Sequence, residues 1–357
     1  MNFILCADLH LKESEKDYSF SVLREIIRRC REKNCDALLF AGDIFDSRQD
    51  LVTLRMDFRS ALEELHEECS VFFLPGNHEE LRAANNEKLD SFDFGRAKLL
   101  SKKPFSLLDF GPNAEILAVP YQNTYSDYKD WELPAKTGKI RILLAHTTIS
   151  GIIYTGQDEE STSILDDEML NFFEIDIAAI GHIHKAIYEQ RKNCRIVYPG
   201  SSRVWREGED GKRAVLYCDL EGASPEIKTI YIEAAGEYRK LSCYANTEGE
   251  LKINLNENFS KEDWIMLELN GVVEEEGDVL ENLEKIKKEL EKKYRKVTYK
   301  TDKLSVLSGV STHPLAKSFI SQWEAQSEKY SKEEKDLYEL VRLRGLLALK
   351  NILEKRK

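Results

Sequence analysis

The sequence predicts a layered α/β protein. Three observations carry that reading: short apolar runs alternate with amphipathic helical stretches over the first two-thirds of the chain, the runs are almost continuously apolar, and they repeatedly end in Asp, Asn or His. Continuous apolar runs suit strands covered on both faces, and polar residues at strand ends suit a ligand site beyond the sheet edge.

In order, Phe3 to Ala7 reads as a strand, after which Leu23, Ile26, Ile27 and Cys30 fall on one helical face. Ala37 to Ala41 is a second strand, leading into Gly42-Asp43. A helix then carries Leu51, Leu54, Phe58, Leu62 and Leu65, and Val71 to Leu74 runs into Pro75-Gly76-Asn77-His78. After a less regular stretch, Ile140 to Ala145 ends at His146, and Ile175 to Ile180 ends at Gly181-His182-Ile183-His184. Further strands are expected at Arg195 to Tyr198, Ala214 to Asp219 and Glu226 to Glu233. From about Gly236 the texture changes to a strand pattern over Trp264 to Val273, a charged helix from about Val279 to Tyr294 and a strand at Lys296 to Lys300. Two helical stretches close the chain. The expected organisation is a main domain over 1–233, a small α/β domain over 236–305 and a helical segment over 312–357.

The 357 residues, 42% of them hydrophobic, suffice for one large and one or two small cores. The net charge of -12 argues against coating nucleic acid by bulk charge, because non-specific binding draws on Lys and Arg that neutralise phosphates. A local basic groove stays open. No signal peptide or membrane span is expected, since the apolar run at the N-terminus stops at Asp8. Seven cysteines without a C-x-x-C pair indicate neither a disulfide framework nor a thiolate zinc site, so the expected compartment is the reducing cytoplasm.

Chemistry concentrates in five short motifs: Asp8-Leu9-His10, Gly42-Asp43, Gly76-Asn77-His78-Glu79, His146 and Gly181-His182-Ile183-His184. Two neighbouring divalent ions require imidazoles, carboxylates and amide oxygens with a shared anionic ligand, and this inventory contains them. Alternation along a strand would point both side chains of a D-x-H or H-x-H pair the same way. Singly, Asp43 reads equally as a turn residue and Asn77 as a helix cap; five such motifs, each after an expected strand, point jointly to metal.

The motif order resembles that of the calcineurin-like metallophosphoesterases over residues 1–233. That resemblance implies a two-sheet β-sandwich flanked by helices, with one metal held by Asp8, His10, Asp43 and His184 and a second by Asp43, Asn77, His146 and His182. It gives His78 the role of stabilising the transition state or protonating the leaving oxygen. On family grounds manganese is the first choice, with iron and zinc also compatible with an oxygen and imidazole set. Gly42-Asp43-Ile44-Phe45-Asp46, His146-Thr147-Thr148-Ile149-Ser150-Gly151 and Tyr198-Pro199-Gly200-Ser201 resemble motifs of SbcD-like nucleases, which process DNA double-strand breaks. The resemblance implies an exonuclease or endonuclease acting on DNA, a capping domain after the core, terminal helices that dock an SbcC-like SMC-family ATPase, and a possible homodimer. Cys6-Ala7, Asp46 and Glu79 depart from the common pattern of those relatives.

Basic residues after two of the motifs are candidate phosphate contacts, foremost Arg82, Arg203 and Arg206. The alternatives are a general metallophosphatase, including the protein-phosphatase branch, a small-molecule phosphodiesterase, and a scaffold that keeps its metals without catalysis. The phosphatase pattern G-D-x-x-D-R-G fails, since Ser47-Arg48-Gln49 follows Asp46. In the tail, Leu337, Leu340, Val341, Leu347 and Leu353 make an apolar stripe on an expected helix, open to packing on the chain itself or on a partner.

Overall fold

A computed structural model of the chain describes residues 1–80, 88–122, 124–125, 127–152, 164–222, 224–245, 250–253, 259–273, 275–307, 310, 313–327 and 332–355. The chain divides into two compact units, Met1–Glu237 and Tyr238–Lys357.

The first unit begins with β1 (Asn2–Cys6), α1 (Lys16–Glu32), β2 (Ala37–Ala41), α2 (Arg48–Leu62), β3 (Ser70–Leu74), α3 (Asn77–Glu80), β4 (Ala97–Leu99), β5 (Ser106–Asp109) and β6 (Ala114–Val119). It continues with β7 (Ile140–His146), β8 (Thr148–Ile149), β9 (Ile164–Leu165), α4 (Asp167–Phe172), β10 (Ile177–Gly181), β11 (Ile187–Arg191), β12 (Cys194–Tyr198), β13 (Ala214–Asp219) and β14 (Glu226–Tyr231). Two six-stranded sheets result, in the orders β14-β13-β1-β2-β3-β4 and β11-β12-β10-β7-β6-β5. Their centres are parallel, with antiparallel strands at both edges of the second sheet and at the β13–β14 edge of the first.

Strand alternation explains the layering. Phe3 and Leu5 of β1, Leu39 of β2, Ile142 and Leu144 of β7 and Ala179 of β10 share one cluster between the sheets. Their neighbours Ile4, Cys6, Leu38 and Phe40 turn outward onto α1 and α2, while Leu143, Ala145, Ala178 and Ile180 turn onto Met169 and Leu170 of α4. Each strand is therefore apolar on both faces, which is why the runs in the sequence are continuous. The stretch between β3 and β7 that looked irregular contains β6, a fully buried strand parallel to β7.

The second unit comprises β15 (Tyr238–Ala245), β16 (Leu251–Ile253), β17 (Trp264–Val273), α5 (Gly277–Glu291), β18 (Lys296–Val306), α6 (Pro314–Ser327) and α7 (Lys332–Glu354). Its sheet runs β16-β15-β17-β18. Val279, Leu283 and Leu290 of α5 pack on Leu241, Ile265 and Leu267. The expected helical segment falls within this unit: Ala316, Leu343 and Leu346 bury together with Leu307, and Val272 packs against them. The side chains of Leu337 and Leu340, which the expected stripe included, lie outside the described residues.

Candidate metal centre

Parallel strands end at one edge, so the segments after β1, β2 and β3 converge with the end of β7 and the segment after β10. The first two are zipped together by hydrogen bonds from the amides of Asp8, His10 and Leu11 to the carbonyls of Gly42, Asp43 and Ile44 at 3.1, 3.0 and 2.6 Å. Asp8, His10, Asp43 and His182 all have positive φ, at 50°, 46°, 51° and 93°. Backbone of this kind costs about 1–3 kcal/mol per residue and concentrates where function over-determines it. The alternation expected to co-orient Asp8 and His10 is therefore not what aims them: β1 ends at Cys6, and both residues stand in a left-handed loop.

Gly42 and Gly181 make the convergence possible. A Cβ on Gly42 would fall 2.2 Å from His146 Nδ1, and one on Gly181 would fall 1.9 Å from the Ala41 carbonyl oxygen. Only glycine allows the two sheets' loops this close.

The geometry brings all seven expected ligands together. The carboxylate of Asp8 accepts from the His182 amide at 3.0 and 3.1 Å. The Nε2 atoms of His10 and His184 face each other at 3.2 Å. Asp43 Oδ2 lies 3.2 Å from His146 Nε2, which also lies 3.0 Å from Asn77 Oδ1. His146 Nδ1 donates to the Ala41 carbonyl at 2.8 Å, which fixes Nε2 as the atom facing Asp43 and Asn77. His78 Nδ1 donates to the Asp46 carbonyl at 2.6 Å, leaving its Nε2 3.9 Å from Asp43 Oδ2.

Burial and close packing of these groups shift several of them. Burial pushes the Asp8 carboxyl up, against the pull of His184 and His146. Burial would also raise Asp43, but the imidazoles of His146, His78 and His10 outweigh it and hold that carboxyl below the usual range. His146, despite burial, is raised to about 9 by Asp43 and Asp8. Burial lowers His182 to about 3, helped by His146, and takes His10 well below its ordinary value, helped by His184. His78 is raised, because Asp43 and the Asp46 carbonyl outweigh its burial.

These residues fit divalent cations. Asp8, His10 and His184 offer ligand atoms within 4.8 Å of one another, as do Asp8, Asp43 and His146. The buried ring atoms His10 Nδ1 and His182 Nε2 have no hydrogen-bond partner, an arrangement that is costly unless something else satisfies them. The donors are oxygen and imidazole, without thiolate.

Four further residues surround the centre, of which Trp205 and Glu209 stand outside every motif of the sequence. Glu79 is buried and accepts from the amides of Asp43, Gly76 and Phe45 at 3.2, 2.8 and 2.9 Å, tying two loops together. Burial and Asp43 raise its carboxyl to about 7. Trp205 stacks on His10 with ring centroids 4.0 Å apart, and its indole N–H donates to Asp46. Asp46 also pairs with Lys12 at 2.7 Å. Glu209 accepts from His184 Nδ1 at 2.5 Å.

The candidate phosphate contacts fare differently. Arg203 is fully buried, and its guanidinium donates to the Leu9 carbonyl, the His10 carbonyl and Glu15 at 2.7, 2.6 and 2.6 Å. The expectation that it contacts substrate is corrected: it is an internal brace for the Asp8–His10 loop. Arg96 is similarly committed, to the carbonyls of Leu65, His66, Glu67 and Cys69. Arg206 stays partly exposed over the Trp205 ring, 5.1 Å from its centroid. Arg82 lies outside the described residues.

Comparison with known proteins places these observations in context. The sequence profile of the calcineurin-like phosphoesterases matches residues 1–186. The DNA double-strand break repair protein Mre11 of Methanocaldococcus jannaschii is 28% identical over 252 residues, covering 64% of this chain and 65% of that protein. The protein of the same name from Methanosarcina acetivorans is 27% identical over 236 residues, covering 62% of this chain and 37% of that protein. The chain thus spans about two-thirds and about one-third of the lengths of these two relatives. Among solved structures, a dimetal phosphatase from Danio rerio superposes with a TM-score of 0.40 at 12% identity, covering 65% of this chain and 98% of that one.

Proposed function

The chain belongs to the calcineurin-like phosphoesterase family, and from that premise we propose that it is a metal-dependent nuclease hydrolysing phosphodiesters of DNA. The carrying observation is the convergence of Asp8, His10, Asp43, Asn77, His146, His182 and His184 at one sheet edge, with the buried ring nitrogen Nε2 of His182 lacking a hydrogen-bond partner. In this reading Asp8, His10, Asp43 and His184 hold one divalent ion, and Asp43, Asn77, His146 and His182 hold the other. Manganese suits the donor set. When bound, the ions supply Lewis acidity and positive charge against the phosphate oxygens.

The chain's own groups do the rest. Asp43 lies 3.2 Å from His146 and 3.9 Å from His78, and in this reading its carboxylate would be the anion shared between the two ions. His78 has its Nδ1–H engaged by the Asp46 carbonyl and its Nε2 3.9 Å from Asp43, which raises its pKa against its burial, and in this reading it is the group that delivers a proton to the leaving oxygen. Arg206, held over Trp205, is the described cation suited to contact a backbone phosphate at the rim.

DNA as substrate is supported by two relatives that align over 64% and 62% of this chain, both DNA double-strand break repair proteins by name. A partner ATPase of the SMC type, a homodimer and a cytoplasmic setting belong to the same reading. Seven buried, unpaired thiols are consistent with that compartment, and no helix among the described residues is long and apolar enough to cross a membrane.

The test is hydrolysis of linear duplex DNA, single-stranded DNA and a chromogenic diester with Mn²⁺, by the wild type and by Asp43→Asn. Cleavage of DNA and its abolition by the substitution are expected. Turnover of the chromogenic diester with neither DNA cut would turn the reading to a small-molecule phosphodiesterase, and full activity of the variant under a chelator would sink the metal mechanism.

A further inference from the structure

Glu209 stands outside every motif that marks the centre, yet it is one of the few carboxylates buried there, with its side chain 3% exposed. Its two oxygens divide their work. Oε1 accepts the proton-bearing Nδ1 of His184 at 2.5 Å. Oε2 accepts the backbone amide of Trp205 at 2.8 Å, and more weakly the amide of Arg206 and the hydroxyl of Ser201, each at 3.4 Å. The indole of Trp205 lies flat on His10, the planes 7° apart. One buried carboxylate thus grips His184 directly and His10 through a stacked ring.

Both imidazoles belong to the same half of the centre. His10 and His184 face each other through Nε2 and share Asp8, whereas Asn77, His146 and His182 make no hydrogen bond to Glu209 or Trp205 among the described residues. His146, in the other half, takes its orientation from a main-chain acceptor instead, the carbonyl of Ala41. The two halves are therefore oriented by different devices: a backbone carbonyl, which no side-chain substitution removes, and a carboxylate, which one can.

We propose that Glu209 is a positioning residue that fixes the tautomer of His184 and the plane of His10, and so sets the affinity of the ion held by Asp8, His10, Asp43 and His184 without setting that of the other ion. The physical reason is general. A carboxylate on one ring nitrogen of a histidine holds the proton there, keeps the other nitrogen's lone pair free for the ion, and makes that nitrogen a better donor. The proposal rests on the two-ion reading above.

The experiment is a calorimetric titration of Mn²⁺ into the chelator-stripped full chain, for the wild type and Glu209→Gln, alongside ¹H–¹⁵N NMR of the histidine rings in the metal-free wild type. The wild type should take up two Mn²⁺. Glu209→Gln should bind one as before and the other about 10- to 100-fold more weakly. In the wild type, His184 should carry its proton on Nδ1. Unchanged binding of both ions by the variant, or equal weakening of both, would overturn the selective role. A proton found on His184 Nε2 in the wild type would overturn it whether or not the variant folds. Fewer than two Mn²⁺ in the wild type would remove the two-ion premise and the proposal with it, and a His184 tautomer still set on Nδ1 would then identify the premise as what failed.

Discussion

At the scale of single residues, the centre separates side chains that would hold ions from those that act on the substrate or on the loops. His78 sits beside Asp43 and edge-on to His10, their ring centroids 4.7 Å apart, with its Nδ1 bound to the Asp46 carbonyl. His78→Gln should keep both ions and lose about a hundredfold or more in rate, as expected for removal of a general acid; metal analysis beside kinetics checks this, and empty sites would make His78 a ligand. Arg203 teaches the opposite lesson. Its place after the Tyr198-Pro199-Gly200-Ser201 motif suggested a phosphate contact, yet its donors are spent on the backbone of the strained Asp8–His10 loop. Replacing it by Met keeps the volume but takes the donor from two buried carbonyls and removes the Arg203–Glu15 ion pair, so urea denaturation should show a loss of about 3–5 kcal/mol, the range for breaking a buried charged pair from one side. A loss below about 1 kcal/mol would mean that the brace is dispensable.

At the scale of elements, parallel pairing does the positioning. Gly181 of β10 pairs in register with His146 of β7, so the second sheet delivers two candidate ligand segments side by side. β1, β2 and β3 do the same in the first sheet. The sheets meet where Gly181 abuts Ala41, a contact that admits no side chain. Gly181→Ala should cost about 1–3 kcal/mol through overpacking and should also weaken Mn²⁺ binding, because His146 Nδ1 lies 2.8 Å from the added carbon. Denaturation midpoint and metal content measured on one preparation check both effects; a fully stable variant with full metal content would mean that the sheets can separate at no cost.

At the scale of the whole molecule, the terminal helices carry both buried and exposed apolar residues. Leu343 and Leu346 are buried in the second unit, while Leu315, Val341 and Ile352 are 58%, 47% and 52% exposed. Of the stripe itself, Leu347 packs against the buried Leu343 and Leu346 whereas Val341 is exposed, so packing on the chain itself accounts for part of its described residues only. Substituting Leu315, Val341 and Ile352 by Glu should change stability by no more than about 0.5 kcal/mol each, as is usual for exposed positions. If the helices dock a partner ATPase, the triple variant should lose co-purification with it while cleaving a small diester as before. Retained co-purification would place the docking surface elsewhere.

The sequence by itself determined which residues could carry chemistry and which strands deliver them. Continuous apolar runs ending in Asp, Asn and His are legible because burial on both faces and a polar strand edge each leave a local pattern. Ala37–Ala41, Ala214–Asp219 and Trp264–Val273 could be read to the residue for that reason. What only the tertiary structure decided is which polar groups face each other. Glu209 and His184, Trp205 and His10, and Arg203 and the Leu9 carbonyl are separated by 25, 195 and 194 residues, and no spacing rule connects them. The left-handed φ of Asp8, His10, Asp43 and His182 was equally hidden, because none of these is glycine and the strain is sustained by contacts from other segments. Local pattern fixes the period and the face of an element; the partner of a buried charge is set by whatever the folded chain brings within 3 Å of it.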